Sequence, residues 1–479
     1  MRRWDAQQIA LHAGARLLLA PPPGAPGPER ATIDSRDASP GALFVGLCGE
    51  RVHGGNYASS ALEAGAWGVL TTPEHAQEAL ARTYQPGSAG EPAPGPAILA
   101  ASDPLGSLQL LATAWRRELG ARVVGVTGST GKTSTKDLLL AVLSPHRLTV
   151  ASRANLNTEI GLPIEILGAR AGTEVLVLEM GMRGPGQIAE LARVAEPDVG
   201  VIVSIGPVHL EQLGTIEAVA AAKAELIAGL PVGGVAVLPA NEPLLEPYRR
   251  AELTTLTFGP GSDVVVLAQT EDTIEIDCAG ERLSLSLDFP QAHLRHNLLA
   301  AVAAARAVGV RAGGRLRLNL SAGRGQRTQL PGGITLLDHA YNANPMSMRA
   351  ALDELAATAE RIGAERDDGA GVGAGGEQPA PRRVAVLGDM LELGDHARAY
   401  HAEIGAHAAI TADVLVTVGP LAASMSERFL GEHHHAEDAR AAAEITSSLL
   451  REGDVVLVKA SNGVGLKRVC EALRAGAPA

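Results

Sequence analysis

Glycine, hydroxyl and lysine residues crowd into one stretch, GVTGSTGKT, running from Gly125 to Thr133. An apolar run precedes it and a helical pattern follows. In that context the backbone N–H groups of Gly128, Ser129, Thr130 and Gly131 and a helix N-terminus cradle phosphates. Lys132 then reaches the β- and γ-phosphates, and the Thr133 hydroxyl is placed for Mg²⁺. The match departs from the strict GxxxxGK[ST] loop in having Val126 where the first glycine would stand. Two further apolar runs end in metal-binding residue types: EVLVLEM delivers Glu179, and VGVIVSIGPVH delivers His209 a few residues beyond its end. Carboxyl ends of parallel strands share one edge of a sheet, so Glu179 and His209 are candidate Mg²⁺ ligands beside the phosphate loop.

Positioning such residues needs strands and helices in alternation, which is what the chain offers. The runs at 42–47, 66–70 and 97–100, with a helix near 57–64, form a small first α/β unit over 1–101. A second unit over 102–325 has a helix at 105–119, the strand and helix around the phosphate loop, and strands at 174–180, 199–205 and 234–239. The alternating stretch 273–289 reads as an antiparallel hairpin attached to it, followed by a helix at 296–307. The third unit, 326–479, restarts with strands at 333–338, 383–389, 413–419 and 454–461 and a helix at 345–362. The fold class is therefore α/β in three domains: a central P-loop-type, mostly parallel core, a small N-terminal α/β domain and a Rossmann-like C-terminal domain. The Pro/Gly/Ala-rich 85–96 reads as a linker and the Gly/Ala/Asp-rich 365–381 as a flexible insertion.

Composition narrows the chemistry. At 479 residues, 46% hydrophobic and 20% charged, the chain is an ordinary soluble one with no apolar run near the ~20 residues a membrane helix needs. A net charge of −12 argues against a nucleic-acid binder, so an anionic ligand must be held by a local site. Cys48, Cys278 and Cys470 form neither a C-x-x-C pair nor a disulfide framework, which fits a reducing cytoplasm. The first 24 residues are too interrupted by charge for a signal core and read as a short amphipathic helix ended by Pro21 to Pro23. Of 41 basic residues only Lys132, Lys136, Lys223, Lys459 and Lys467 are lysine, so a lysine here is a candidate for a role that needs its amine.

The order TGSTGKT, ANLNTEIGLP (154–163), LEMGMRGPGQI (178–188), a histidine, AAKAE, RHNLLAA and DHAYNANP resembles the Mur ligase superfamily over essentially the whole chain. LDHAYNANPMSM (337–348), LGDMLELG (387–394) and DSRDASPGALFVGLCGERVHGGNYASSALEAGA (34–66) are similar to the branch that adds a dipeptide, whereas a DNPR-type motif of the diamino-acid-adding branch is absent. The resemblance implies that D-alanyl-D-alanine is joined to a UDP-N-acetylmuramoyl-tripeptide with ATP and Mg²⁺, through an acyl phosphate. It implies that Asn297 contacts adenine, that Arg324 reaches the γ-phosphate, and that Asp338, Tyr341 and Asn342 line the nucleotide. Asn157 and Thr158 would face the central cleft, and Ser35, Arg36 and Gly49 the uridine nucleotide. Lys223 matches the lysine that in several members carries a carbamate and helps hold the metal. Lys132, Lys223, His209 and Arg324 make up the expected catalytic set, with a monomeric chain closing at a hinge near 323–328. At the positions of common family residues the chain has Gly46, His53 and the sequence VKASNG at 458–463. Rival readings are a ligase adding a single amino acid and a nucleotide-binding scaffold without activity.

Overall fold

Val123, Val124 and Val126 of the Arg122–Thr127 strand are all fully buried, as are Leu176, Val177 and Leu178 of its neighbour. A strand without a polar face must be covered on both sides, and helices supply that cover in a parallel sheet. The computed structural model describes residues 1–83, 95–153, 155–369 and 380–476, with no side-chain description at 367–369. Its strands form three sheets of five, ten and six members.

In the ten-stranded sheet, Arg122–Thr127 lies between Val175–Glu179 and Val199–Ile202, parallel to both. The chain goes from Arg122–Thr127 to the edge strand Thr149–Ala151, returns through Val175–Glu179, then crosses to the other side with Val199–Ile202 and Val235–Pro239. Strand order thus reverses at Arg122–Thr127, and such a reversal opens a crevice beyond the carboxyl ends. Beyond Val235–Pro239 the sheet continues through Thr254–Phe258 and Val264–Gln269 into the antiparallel pair Thr273–Cys278 and Glu281–Leu287. The expected hairpin is therefore part of the main sheet.

The five-stranded sheet runs Arg16–Leu19, Ala97–Ala100, Gly68–Thr71, Ala42–Val45, Arg30–Thr32, with only the first pair antiparallel. Here the expected N-terminal helix is corrected. It covers only Ala6–Ala13, starts on the Asp5 capping box and stops at Gly14, whose φ of +61 is a left-handed C-cap. The apolar residues after it form a strand, not a continuing helix. Trp4 meets Trp115 of the helix Pro104–Leu119 edge-on at 5.1 Å, so the first sheet shares a core with the central one.

The six-stranded sheet is ordered Gln326–Gln329, Thr335–His339, Val455–Lys459, Arg383–Gly388, Val414–Val418, Glu432–Ala436, and only its first pair is antiparallel. The expected hinge at 323–328 is narrowed by this, because Gln326 to Thr328 pair with Asp338, Leu337 and Leu336. Gly323 and Gly325, with φ of +71 and +98, carry the turn into the sheet. The helix expected at 345–362 runs from Pro345 to Gly369 and takes in the start of the stretch read as an insertion. Residues 370–379 of that stretch, and 85–94 of the expected linker, lie outside the described residues.

Candidate active site

The phosphate loop is fastened to the segment that follows its neighbouring strand. Ser129 donates its N–H to the Ser204 carbonyl (2.9 Å), and its hydroxyl donates to the Gly206 carbonyl (3.0 Å) and accepts from the Gly206 N–H (2.9 Å). Thr130 N–H donates to the Ser204 hydroxyl at 2.9 Å. Gly131 begins the helix Lys132–Leu143 with φ +78, and a Cβ there would lie 2.8 Å from Asn297 Oδ1 and 2.9 Å from Val203 Cγ1. Only glycine lets the loop approach so closely. This places Asn297, on the helix Ala292–Ala307, directly against the loop.

Lys132 donates to the Gly128 carbonyl at 2.8 Å, closing the loop on itself. Burial lowers its pKa, Glu179 counteracts this, and Arg324 adds to the lowering. Thr133 donates its hydroxyl to Glu179 Oε2 and Asn157 donates Nδ2 to Glu179 Oε1, both at 2.8 Å. Glu179, 2% exposed, is thus an acceptor shared by two of the sequence-derived residues. The adjacent Thr158 is exposed, and its hydroxyl accepts from Gly161 N–H. Lys223, on the helix Ile216–Ala228, is 2% exposed, and burial followed by the nearby Lys132 charge holds its pKa well below the ordinary lysine value. Lys132 thus lies within electrostatic reach of Lys223, Glu179 and Arg324.

Arg324 arrives from the turn between the central and third sheets. Its guanidinium lies 3.8 Å from the centroid of the Tyr341 ring, and its Nε is buried without a partner. A buried guanidinium N–H left unpaired is costly, and an anion at this position would satisfy it. The positive-φ loop glycines and this orphan donor together fit a nucleotide phosphate. A Thr hydroxyl with one carboxylate suits Mg²⁺, which takes few protein ligands and completes its shell with phosphate and water. Among the described residues no three or more His, Cys, Asp or Glu gather into a metal-binding group.

Other sequence-derived residues are placed differently. His209 makes its side-chain contact with Glu392, Nδ1 to Oε2 at 2.5 Å, across the junction with the third sheet. Asp338 is occupied by Arg474 at 2.6 Å and by Ala340 N–H, so its carboxylate works inside the third sheet's own packing. Asn342 is exposed, and its carbonyl accepts from Lys459, whose pKa is lowered to about 7 by burial and by Arg324, against the pull of Glu354. Ser35, Arg36 and Gly49 follow the carboxyl ends of Arg30–Thr32 and Ala42–Val45 in the five-stranded sheet. Arg36 is exposed and paired with Asp34 at 2.6 Å. His53 stacks on His75 with ring centroids 4.2 Å apart on the same sheet edge.

Two contributors escaped the sequence reading, Asn344 and Glu392. Asn344 Nδ2 donates to the Ser129 carbonyl at 3.4 Å, carrying the third sheet onto the phosphate loop. Both residues stand inside motifs already singled out, DHAYNANP and LGDMLELG. A cavity of about 610 Å³ opens between Glu271, Asp272, Gln291, Gln326 and Arg327. It contains no phosphate-loop residue, so the reaction centre lies elsewhere.

A reversing parallel sheet, a GKT loop against a buried carboxylate, and a third α/β layer docked on that loop define a nucleotide-dependent ligase architecture, and sequence likeness agrees. The Mur ligase middle domain matches residues 126–305, the pattern described as Mur ligase family, catalytic domain, matches 30–108, and the Mur ligase glutamate ligase domain matches 370–462. The chain belongs to the Mur ligase family. It is 33% identical to the UDP-N-acetylmuramoyl-tripeptide–D-alanyl-D-alanine ligase of Bacillus subtilis (strain 168), covering 92% of each chain. With the ligase of the same name from Escherichia coli (strain K12) it shares 31% identity over 93% of this chain and 94% of the other. A crystal structure of MurF from Acinetobacter baumannii superposes with a TM-score of 0.80 at 26% identity, covering 98% of this chain and 99% of that one. That of the Thermotoga maritima MurF ligase in complex with ADP gives 0.72 at 26% identity, covering 93% and 97%.

Proposed function

We propose that this chain is an ATP-dependent ligase that joins D-alanyl-D-alanine to the terminal carboxylate of UDP-N-acetylmuramoyl-tripeptide, a cytoplasmic step of peptidoglycan precursor synthesis. The observation that carries this reading is the full-length likeness to ligases of that name, 33% identical over 92% of the chain in one case. The phosphate loop and the orphan Arg324 donor support the nucleotide half of it.

A carboxylate resists attack by an amine because oxide is a poor leaving group. Transfer of the γ-phosphoryl group from ATP to a carboxylate oxygen breaks the bond to the β-phosphate, releases ADP and gives an acyl phosphate. The neutral dipeptide amine then adds to the carbonyl carbon, the adduct gives up an N–H proton to solvent, and phosphate departs with the electron pair of the broken C–O bond. Lys132, released from the Gly128 carbonyl, and Arg324, through its free Nε, would face the moving phosphoryl group, where charge stabilisation supplies most of the rate. Mg²⁺, held through Thr133, Glu179 and His209, would neutralise phosphate oxygens. Asn157 keeps the Glu179 carboxylate in place. Lys223 fits carbamylation, since its burial and the nearby Lys132 favour the neutral amine that reacts with CO₂. The first sheet, with Ser35, Arg36 and Gly49, is proposed to receive the uridine nucleotide. Asn297 and Tyr341 would border the ATP, and Asp338 and Asn342 would support it through the third sheet, which also receives the dipeptide.

The test is phosphate release with ATP, UDP-N-acetylmuramoyl-tripeptide and D-alanyl-D-alanine, each omitted in turn. Release should need all three. Release that continues without the dipeptide, or none with the full mixture, would refute the reading.

A further inference from the structure

Among the described residues five that are not glycine have a left-handed φ, and two of them face each other: His209 at +54 and Glu392 at +65. Such backbone is disfavoured by about 1–2 kcal/mol per residue, so it persists where contacts over-determine it. Here they do. The Glu392 carboxylate holds His209 Nδ1 at 2.5 Å, and its own carbonyl accepts from Glu211 N–H at 3.2 Å. Gly394 lies so close to Glu211 that a Cβ would fall 3.3 Å from the Glu211 Cα. The other Glu392 oxygen stands 3.9 Å from Arg183 Nε.

Glu392 belongs to the loop after the strand Arg383–Gly388 of the third sheet, while His209 and Arg183 belong to the central unit. A neutral imidazole that donates Nδ1–H to a carboxylate keeps its lone pair on Nε2, the tautomer that can ligate a cation. We propose that Glu392 is a positioning residue that fixes the tautomer and ring direction of His209 for a divalent cation, so the His209 ligand is complete only when the third sheet is docked. This rests on the reading of His209 as a metal ligand. Neither sheet holds the finished ligand alone.

The test is Mn²⁺ binding to the full chain with a saturating non-hydrolysable ATP analogue, read by electron paramagnetic resonance of free Mn²⁺. Glu392→Ala should weaken Mn²⁺ binding about tenfold or more, and Glu392→Gln, whose amide oxygen still accepts from Nδ1–H, should stay within about threefold of wild type. His209→Ala should weaken it at least as much as Glu392→Ala. Asn344→Ala, which loosens docking elsewhere, should weaken it less. Wild-type affinity in Glu392→Ala alongside a loss in His209→Ala overturns the positioning role and leaves the metal-ligand reading standing. Wild-type affinity in both overturns the metal-ligand reading, and the positioning role with it. Equal losses in Asn344→Ala and Glu392→Ala mean that Glu392 acts only by docking, which also overturns the proposal.

Discussion

Lys132 and Lys223 are both pushed towards neutrality by burial, and each feels the other's charge or that of Arg324. They differ in what they face. Lys132 has Glu179, whose charge opposes that lowering of pKa, and an arriving phosphate would oppose it further. Lys223 gains no such partner from the loop, and a carbamate would turn its buried amine into an anionic oxygen donor. Lys223→Ala should abolish phosphate release, and short carboxylic acids such as formate or acetate should restore part of it. Full activity in that variant would contradict a role in holding metal. Lys132→Ala should lower kcat by about 10²–10³, the usual cost of removing one preorganised charge donor. At Arg324 even lysine should fail, because an ammonium cannot reproduce a planar guanidinium held against Tyr341 at 3.8 Å. A loss of more than tenfold in kcat/KM for Arg324→Lys is the expected result.

The elements around the junction carry a second group of buried charges. Glu354, on the helix Pro345–Gly369, meets His339 at 3.1 Å, Arg327 at 3.2 Å and His293 at 3.9 Å. Burial alone would raise the Glu354 pKa, but the hydrogen bond and charge of His339, with His293 and Arg327, hold it at about 2. His293, at the start of the helix Ala292–Ala307, is lowered to about 4 by burial, with Glu354 opposing and the neighbouring cations assisting. Both shifts act in one direction. Between about pH 4 and 6.5 the unfolded chain takes up a proton at His293 that the folded chain refuses. Below the ordinary carboxylate range the same holds at Glu354. Stability from His293 is therefore complete above pH 6.5 and is lost as pH falls towards 4, and that from Glu354 is lost from about 4.5 towards 2. With 27% of the His293 side chain exposed, its share is of order 2 kcal/mol. His293→Gln should flatten the fall in Tm between pH 6.5 and 4, and an unchanged slope would contradict the assignment.

Legibility followed the range of the interaction. The apolar runs at 122–127 and 174–180 and the GKT loop announced themselves because burial and phosphate binding each constrain neighbours in sequence. The Arg16–Leu19 strand did not, since whether LLL extends a helix or starts a strand is settled by Gly14 and by a partner at Ala97–Ala100. Asn344 and Glu392 were hidden for the same reason: each acts on a loop far away in sequence. Asp338 shows the reverse case, a motif residue whose carboxylate is taken by Arg474, a partner 136 residues further on.

At the scale of the whole molecule, the first and third sheets each dock on the central one, and the third reaches the phosphate loop. Trp4 and Trp115 tie the first sheet to the central one, while Asn344, Glu392 and Glu354 tie the third to it through polar contacts, with Met346 packed on Gly206. An apolar shared core is expected to stay closed and a more polar junction to open, so the third sheet is the one expected to move. Scattering curves should shift towards a more compact particle when ATP analogue and UDP-N-acetylmuramoyl-tripeptide are added. Identical curves would contradict closure about Gly323 and Gly325. The central claim, that this molecule forms an amide with a dipeptide, is tested most directly by the mass of its product. With ATP, Mg²⁺ and UDP-N-acetylmuramoyl-tripeptide, D-alanyl-D-alanine should yield the UDP-muramoyl-pentapeptide while single amino acids, glutamate and diamino acids included, yield nothing. A product carrying one added residue from a single amino acid, with none from the dipeptide, would contradict it.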